Sequence, residues 1–294
     1  MIPALFLLLT TMRVTAVDLE YPLIQSLSYF PFASARGVQP SSWAFDWHGA
    51  YSNIFTYTHD KSTLSDLECF SNTFSLRVGF NNGWTGEVYL RFLKIMGGGL
   101  DKLIEDFHEK FDLPEAGRNL YPRDKVNYYY HERFNYTSSQ SCFSPLMLGV
   151  MKEYPLGENG AFFGRLALGI PLSSIPGLSS GKMNLTAGLG ASYQKNGFTA
   201  QWSGYISWFP EPQWLAGENI RTHMIFSEAR IKLEPLSLGI SLRTSPFIQG
   251  DVASTGFLMN LGFKIMGNVE LGVTEDFPPF NTSPDIGFYL HVTM

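Results

Sequence analysis

The chain has 294 residues, of which 45% are apolar, 15% aromatic and 16% charged, with a formal net charge of −5. A soluble globular protein ordinarily carries about 25% charged residues, so this composition argues against a surface that faces water on all sides. The acidic balance and the lack of any Lys/Arg cluster exclude nucleic acid as a partner.

The N-terminus reads MIPALFLLLTTMRVTAVDLEYP, an apolar run over 2–9 followed by small residues Val14-Thr15-Ala16 before Val17. That layout predicts a secretory signal peptide over 1–16, although Arg13 follows the apolar run instead of preceding it. Residues 17–40 are expected to form an N-terminal periplasmic segment and 41–294 a single barrel containing a helix-bearing loop, 97–123. No other stretch approaches the ~18 consecutive apolar residues of a membrane-spanning helix, so any membrane insertion must use strands.

From residue 41 onward, strand-like runs are separated by turn sequences such as Asn81-Asn82-Gly83, Lys195-Asn196-Gly197 and Met266-Gly267-Asn268. Thirteen runs can be read: 41–58, 67–80, 84–95, 124–136, 144–155, 159–171, 183–195, 198–209, 221–233, 236–245, 254–266, 268–275 and 285–294. Bacterial single-chain barrels have an even number of strands, so one run is in excess and 12 strands are expected, or 14 if 19–30 adds one. The connections after residue 140 fit strict alternation least well. In 183–194, Met183, Leu185, Ala187, Leu189, Ala191 and Tyr193 share one face, while Asn184, Thr186, Gly188, Gly190, Ser192 and Gln194 share the other. The same split recurs in 200–208 and 257–265. Aromatic residues gather near strand ends at Trp43, Trp47, Tyr57, Trp84, Trp208 and Trp214. An apolar outer band, aromatic girdles and a small, polar inner face describe an antiparallel transmembrane β-barrel. The alternative is a soluble periplasmic β-sandwich that packs its oily faces together and binds a ligand.

Cys69 and Cys142 permit one disulfide in an exported chain. Strict up-and-down counting puts them at opposite rims, which argues against it.

Residues 97–118 break the pattern of strands. Leu100, Leu103, Ile104, Phe107 and Phe111 recur at helical spacing, opposite Lys102, Glu105, Asp106, Glu109 and Lys110. Gly97-Gly98-Gly99 is expected to release the chain from the preceding strand, Asp101 suits the positive helix end, and Pro114 stops the helix near Asp112. A helix over about 100–112 is too short to be stable alone. Its apolar face must therefore cap the barrel, plug the lumen or rest in the membrane interface.

Two resemblances follow from these residues. Gly97-Gly98-Gly99-x-Asp101, Phe107-His108, Phe111-x-Leu113-Pro114, Gly117-Arg118 and Pro122-Arg123-Asp124 resemble the signature of a domain-of-unknown-function family of Gram-negative outer-membrane barrels. The last segment, with Asp285, Gly287, Leu290 and Val292, resembles the C-terminal recognition signal of such barrels, although it ends in Met294 where Phe is common. The resemblances imply an outer-membrane location, a lipid bilayer as partner and uptake by the barrel-insertion machinery through the last strand. They imply no activity.

Residues expected to line the lumen are Asp46, His48, Arg77, Glu87, Arg91, His131, Arg133, Lys264, Glu270 and His291, with Tyr89 and Asn127 also on inner faces. Charges of both signs in a lumen tune selectivity. A barrel of about 12 strands is narrow enough to be filled by side chains or a plug. Glu105 and His108 have the Glu-x-x-His spacing of di-iron bundles, but no second such helix exists, so no metal and no cofactor is expected. His48 and His291, on the first and last strands, are expected to be neighbours. With Asp46, Asn127 and His131 they are the candidate residues of a lipid hydrolase, yet no G-x-S-x-G elbow is present and no catalytic residue is assigned. The expected function is a narrow or plugged passage for small molecules of unknown identity, or a structural barrel, with the hydrolase and the soluble sandwich as alternatives.

Overall fold

The computed structural model describes residues 21–28, 37–58, 60–112, 118–248, 253, 255–276 and 285–294. The proposed signal peptide lies outside them. Seventeen strands are present among these residues: β1 (Trp43–Tyr57), β2 (Thr63–Gly79), β3 (Trp84–Met96), β4 (Asn127–Tyr130), β5 (Phe134–Tyr136), β6 (Gln140–Phe143), β7 (Leu146–Leu156), β8 (Gly160–Ile170), β9 (Ser174–Ile175), β10 (Ser179–Ser180), β11 (Asn184–Lys195), β12 (Phe198–Trp208), β13 (His223–Leu233), β14 (Leu236–Arg243), β15 (Gly256–Met266), β16 (Val269–Asp276) and β17 (Ile286–Thr293). Two α-helices accompany them, the single turn α1 (Pro22–Gln25) and α2 (Leu100–Phe111).

Twelve of the strands close a barrel in the order β1-β2-β3-β7-β8-β11-β12-β13-β14-β15-β16-β17, and β17 pairs back onto β1 in antiparallel register. Closure leaves no unpaired edge around the wall, which is the condition for β-structure in hydrocarbon. Among the described residues the large sheet closes on itself and the one other sheet is the two-stranded β9–β10 hairpin, so the two-layer sandwich alternative does not hold. The excess strand is 124–136. Its alternating aromatics form the short hairpin β4–β5, which pairs with the end of β2 at Thr63–Asp66 instead of crossing the barrel. The irregularity therefore lies before residue 140, not after it. Within 19–30, the described residues form α1 and its flanks, not a fourteenth strand.

Both barrel termini and the connections 80–83, 157–159, 196–197, 234–235 and 267–268 share one rim, the turn rim. At the other, the loop rim, β1 ends at Tyr57 and β2 begins at Thr63, and the longer connections leave from Met96, Ile170, Trp208, Arg243 and Asp276. The alternation read from sequence sets the two wall faces: Leu185, Leu189 and Tyr193 are exposed on β11, while Asn184, Thr186 and Ser192 are buried on its inner side. Trp43, Trp84, Tyr154 and Tyr193 face outward near the turn rim and Trp208 near the loop rim. Trp214 does not join that girdle. It packs edge-on against Tyr130 and Phe134 over the barrel mouth.

The loop-rim half of the interior is an apolar core. Tyr21, Leu23, Ile24 and Leu27 pack there with Ile54, Leu67, Leu93, Tyr128, Leu215, Phe226 and Phe247. Part of the segment expected on the periplasmic side is thus inside the barrel. Cys69 and Cys142 form no disulfide and lie in this same core, flanking β3 opposite Ile95 and Leu93. Counting 124–136 as a crossing strand had put them at opposite rims; with that strand removed, both lie near the loop rim.

Helix α2 is turned about from the simplest expectation. Asp101, Ile104 and Glu105 are buried, whereas Leu103 and Phe107 are each 52% exposed. Gly97 and Gly98 serve close approach rather than a special turn: a Cβ would sit 2.2 Å from the Asp124 carbonyl oxygen at Gly97 and 1.5 Å from a Glu68 carboxylate oxygen at Gly98. The helix ends at Asp112, whose backbone is left-handed (φ 55°).

Candidate functional site in the lumen

Alternate residues of each wall strand point inward, so a charged residue on an inner face meets partners from strands distant in sequence. Below the apolar core, toward the turn rim, three clusters result. Arg165 on β8 pairs with Glu87 on β3, its Nε 2.7 Å from Oε2 as an ion pair and its Nη2 donating to Oε1 of the same carboxylate (3.0 Å), while its Nη1 donates to the Tyr205 hydroxyl (2.7 Å). The guanidinium approaches both carboxylate oxygens, and both side chains are shielded from water. Glu270 on β16 accepts from Arg230, Ser237 (3.0 Å) and the Tyr289 hydroxyl (3.0 Å), with Lys232 Nζ at 3.4 Å. Asp46 on β1 accepts from Arg77 (2.9 Å) and Ser75 (3.1 Å).

The seam where the barrel closes joins the last two clusters. His48 and His291 are register partners across β1 and β17, as expected from first and last strands meeting. Their ring centroids are 6.0 Å apart, His48 stacks on Tyr289 at 5.5 Å, and His291 Nε2 lies 3.9 Å from Asp46 Oδ1. Neither His48 ring nitrogen has a hydrogen-bond partner among the described residues. His291 Nε2 contacts the Thr293 hydroxyl at 2.8 Å. No serine hydroxyl bonds to either imidazole among the described residues, so the seam does not assemble the nucleophile and base of a hydrolase.

The upper boundary of this charged region is the N-terminal segment. Arg91 donates to the Gln25 side chain, Tyr21 shares a hydrogen bond with Ser65 (3.2 Å), Ser28 contacts Ser207 (2.5 Å), and the Ser180 N–H donates to the Ser26 carbonyl (2.8 Å). The four links tie residues 21–28 to three separate parts of the wall and to the β9–β10 hairpin.

Of the expected lumen residues, Asp46, His48, Arg77, Glu87, Arg91, Glu270 and His291 are buried on inner faces, as is Tyr89. Lys264 sits at the turn rim, paired with Glu234 at 2.7 Å. His131 and Arg133 are not in the lumen. They occupy the exposed turn of the β4–β5 hairpin, His131 with a positive φ of 46°, and Arg133 pairs with Glu218 at 3.1 Å. Asn127, beside them in sequence, donates to Asp66 at 3.0 Å. Their common error is the run 124–136, which does not cross the barrel. Arg165, Glu228, Arg230, Lys232 and Arg243 are further buried lumen charges beyond those expected from the sequence. The signal was present, since Glu228, Arg230 and Lys232 alternate with Ala229 and Ile231 in one strand-like run.

The residues of the helix motif meet on the opposite, outer face of the wall. Asp101 accepts from Asn53 (2.9 Å), Arg118 (3.1 Å) and the Asp124 N–H (2.8 Å), and Arg118 also donates to Asn53 Oδ1 (2.8 Å) and Asp285. The Leu100 N–H donates to Glu68. Asn53 and Glu68 are register partners whose side of the sheet is opposite that of Asp46 and Ser75. Arg123 pairs with Glu105, and His108 lies beside the Phe107 ring. Pro114, Gly117 and the Phe111 side chain lie outside the described residues.

Residues 7–208 match a family described as "Protein of unknown function (DUF3187)". No match is found among curated protein sequences. Among solved structures, the COG4313 outer membrane channel from Pseudomonas putida F1 aligns over 88% of this chain and 97% of its own with a TM-score of 0.53 and 13% identity, a likeness of fold. The NanC porin aligns with a TM-score of 0.44 and 8% identity over 85% of this chain and 98% of its own. A KdgM porin in complex with disordered oligogalacturonate gives 0.40 and 8% over 85% and 96%.

Proposed function

The chain belongs to the DUF3187 family, and from that premise and the geometry of its interior we propose that it is an outer-membrane barrel acting as a narrow passage for small polar solutes, closed in the resting state by its own N-terminal segment. The observation that carries this reading is the seating of residues 21–28 in the loop-rim half of the lumen above a band of charged residues. A purely structural barrel needs no such charged band, because apolar filling is at least as stable as buried ion pairs. The interior below the plug is also polar beyond its internal pairing. His48, the Tyr89 hydroxyl and the side-chain amide of Asn260 have no hydrogen-bond partners among the described residues. Buried polar groups of this kind call for water or a polar solute as partner.

The turn rim, with its short connections and both barrel termini, faces the periplasm, and the loop rim faces outward, as in bacterial barrels generally. The last segment, Asp285 to Met294, which contains β17, is offered to the insertion machinery. The exposure of Leu, Phe and Ile around the wall supports a bilayer as its surroundings.

The test is planar-bilayer recording of the refolded chain against one lacking residues 21–28. Resolved conductance steps are expected at higher frequency in the shortened chain. Flat traces from a shortened chain that still shows heat-modifiable gel mobility would sink the proposal.

A further inference from the structure

Arg230 enters the lumen from β13 and bonds through one nitrogen alone. Its Nη2 donates to Glu270, to Ser237 (3.0 Å) and to the Tyr289 hydroxyl (3.4 Å). Nε and Nη1 are buried, in a residue 2% exposed, and have no hydrogen-bond partner among the described residues. Beside Arg230, the register of the closing strands sets Glu270, His291 and His48 in one cross-strand row on β16, β17 and β1. Both ring nitrogens of His48 and Nδ1 of His291 are likewise buried without a hydrogen-bond partner among the described residues. Tyr289 links the two halves: its hydroxyl meets Arg230 and Glu270, and its ring stacks on His48. Arg230 is also within electrostatic reach of both imidazoles. The Tyr289 ring lies along the wall, because Gly272 leaves it room; a Cβ there would sit 2.1 Å from the Tyr289 Cζ. The ring is therefore a floor to this place and not a stopper in it.

We infer that the closing seam is a subsite for the oxyanionic head of a small solute, a carboxylate or a phosphate, held by the unused donors of Arg230 and an imidazole N–H of His48. Two observations set the chemistry of the occupant. A guanidinium can only donate, so the group that satisfies Nε and Nη1 must be an acceptor, and buried donors left without one are costly. The local charge is also one-sided. Arg77, Arg230 and Lys232 face two carboxylates, Asp46 and Glu270, so three positive charges meet two negative ones. Water could accept from the free donors but could not offset that excess, whereas an oxyanion does both. Binding must be weak enough to release the solute, as in any site along a passage.

The inference rests on the passage reading for the solute's route and not for binding itself. Nitrogen-15 spectra of the imidazoles test it in detergent, for the full chain and for the chain lacking residues 21–28, titrated with sodium succinate, sodium phosphate or sodium chloride at equal ionic strength. Saturable shifts at His48 and His291 are expected with succinate or phosphate and not with chloride, while His131 on its exposed hairpin stays unmoved. Whichever anion saturates at lower concentration identifies the head. Arg230→Gln should raise the midpoint by about ten-fold or more, the loss of a charge-assisted hydrogen bond. Should that variant fail to fold, His48→Phe keeps a ring on Tyr289, and the weaker binding is read at His291. No saturable shift in either chain, or the same shift with chloride, overturns the subsite, as does an unaltered midpoint in the folded variant. Conductance by the shortened chain without a saturable shift leaves the passage and removes the subsite; a saturable shift with flat bilayer traces does the reverse.

Discussion

Arg118 donates to Asp101 at 3.1 Å and, through the same Nη1, to the Asn53 amide oxygen at 2.8 Å, joining a loop, a helix and the first barrel strand at one buried point. The guanidinium also lies over the Phe55 ring, 4.8 Å from its centroid. Removing one partner of a buried ion pair leaves the other charge unpaired, at a cost of about 3–5 kcal/mol. Arg118→Ala is therefore expected to release α2 from the wall while the barrel stays closed. Amide exchange over residues 100–111 measures this: protection should fall by orders of magnitude in the variant and be unchanged in β11–β14. Equal protection in both chains would show that the node does not hold the helix.

The plug is held by packing as well as by hydrogen bonds. Leu23 and Ile24 are fully buried among side chains of the wall and loops. Truncating each to alanine in such a site costs about 2–5 kcal/mol. Because the plug is a short segment and not a barrel strand, that loss falls on the closed state alone. The Leu23→Ala/Ile24→Ala chain should open more often in bilayer recordings, with the thermal midpoint of barrel unfolding on gels little changed. A matching loss of the barrel midpoint would mean that residues 21–28 are part of the fold and not a gate.

The β1–β2 loop provides a pH-dependent feature outside the membrane. Asp60 accepts from the Thr58 hydroxyl (2.6 Å), the Ser62 hydroxyl (2.7 Å) and the Ser62 N–H (2.9 Å). Those bonds, the Thr58 hydroxyl first, hold its carboxyl well below the usual carboxylate range. A depressed folded-state value means that ionised Asp60 favours the folded loop above its unfolded value, and that the benefit is lost as pH falls through the folded one. In a carbon-13 carboxyl titration, Asp60 should stay ionised at a pH where ordinary solvent-facing aspartates are half protonated. Titration at the ordinary position would show that the loop bonds do not persist in solution.

The wall was legible from sequence because a two-residue period survives every local detail. Leu185 and Asn184 fall on opposite faces whether or not their neighbours are known. The run 124–136 defeated the same rule, since Tyr128, Tyr130 and Phe134 alternate as well in a small hairpin over the mouth as in a spanning strand. Length was the missed cue, because β4 ends at Tyr130 and the chain turns through His131–Arg133. The position of the helix was legible, but its docking face was not, because Asn53 and Glu68 on the wall engage Asp101 and the Leu100 N–H through contacts distant in sequence. Lumen candidates on true wall strands were recovered by parity. Their pairings were not, because Arg165 and Glu87 are 78 positions apart. Nothing in the order of residues places 21–28 inside the barrel, since their contacts are tertiary throughout.

That separation in sequence makes the Glu87–Arg165 pair a test of what the charged band contributes. Glu87→Gln removes the charge from one side and leaves Arg165 buried at 2% exposure with neutral partners such as the Tyr205 hydroxyl and the Met151 thioether. The expected loss is about 3–5 kcal/mol, seen as a lower midpoint for heat-induced mobility change on gels. Replacing both residues together, Glu87→Leu with Arg165→Met, removes the desolvation cost and the attraction at once. It should restore most of the stability, because a well-packed apolar pair of similar volume is often neutral or stabilising. If the band exists for passage, this doubly substituted chain will be stable and yet lose ionic selectivity when the plug is also removed, measured as a shift in reversal potential under a salt gradient. An unchanged reversal potential would assign Glu87 and Arg165 to holding the wall together and not to sorting what crosses it.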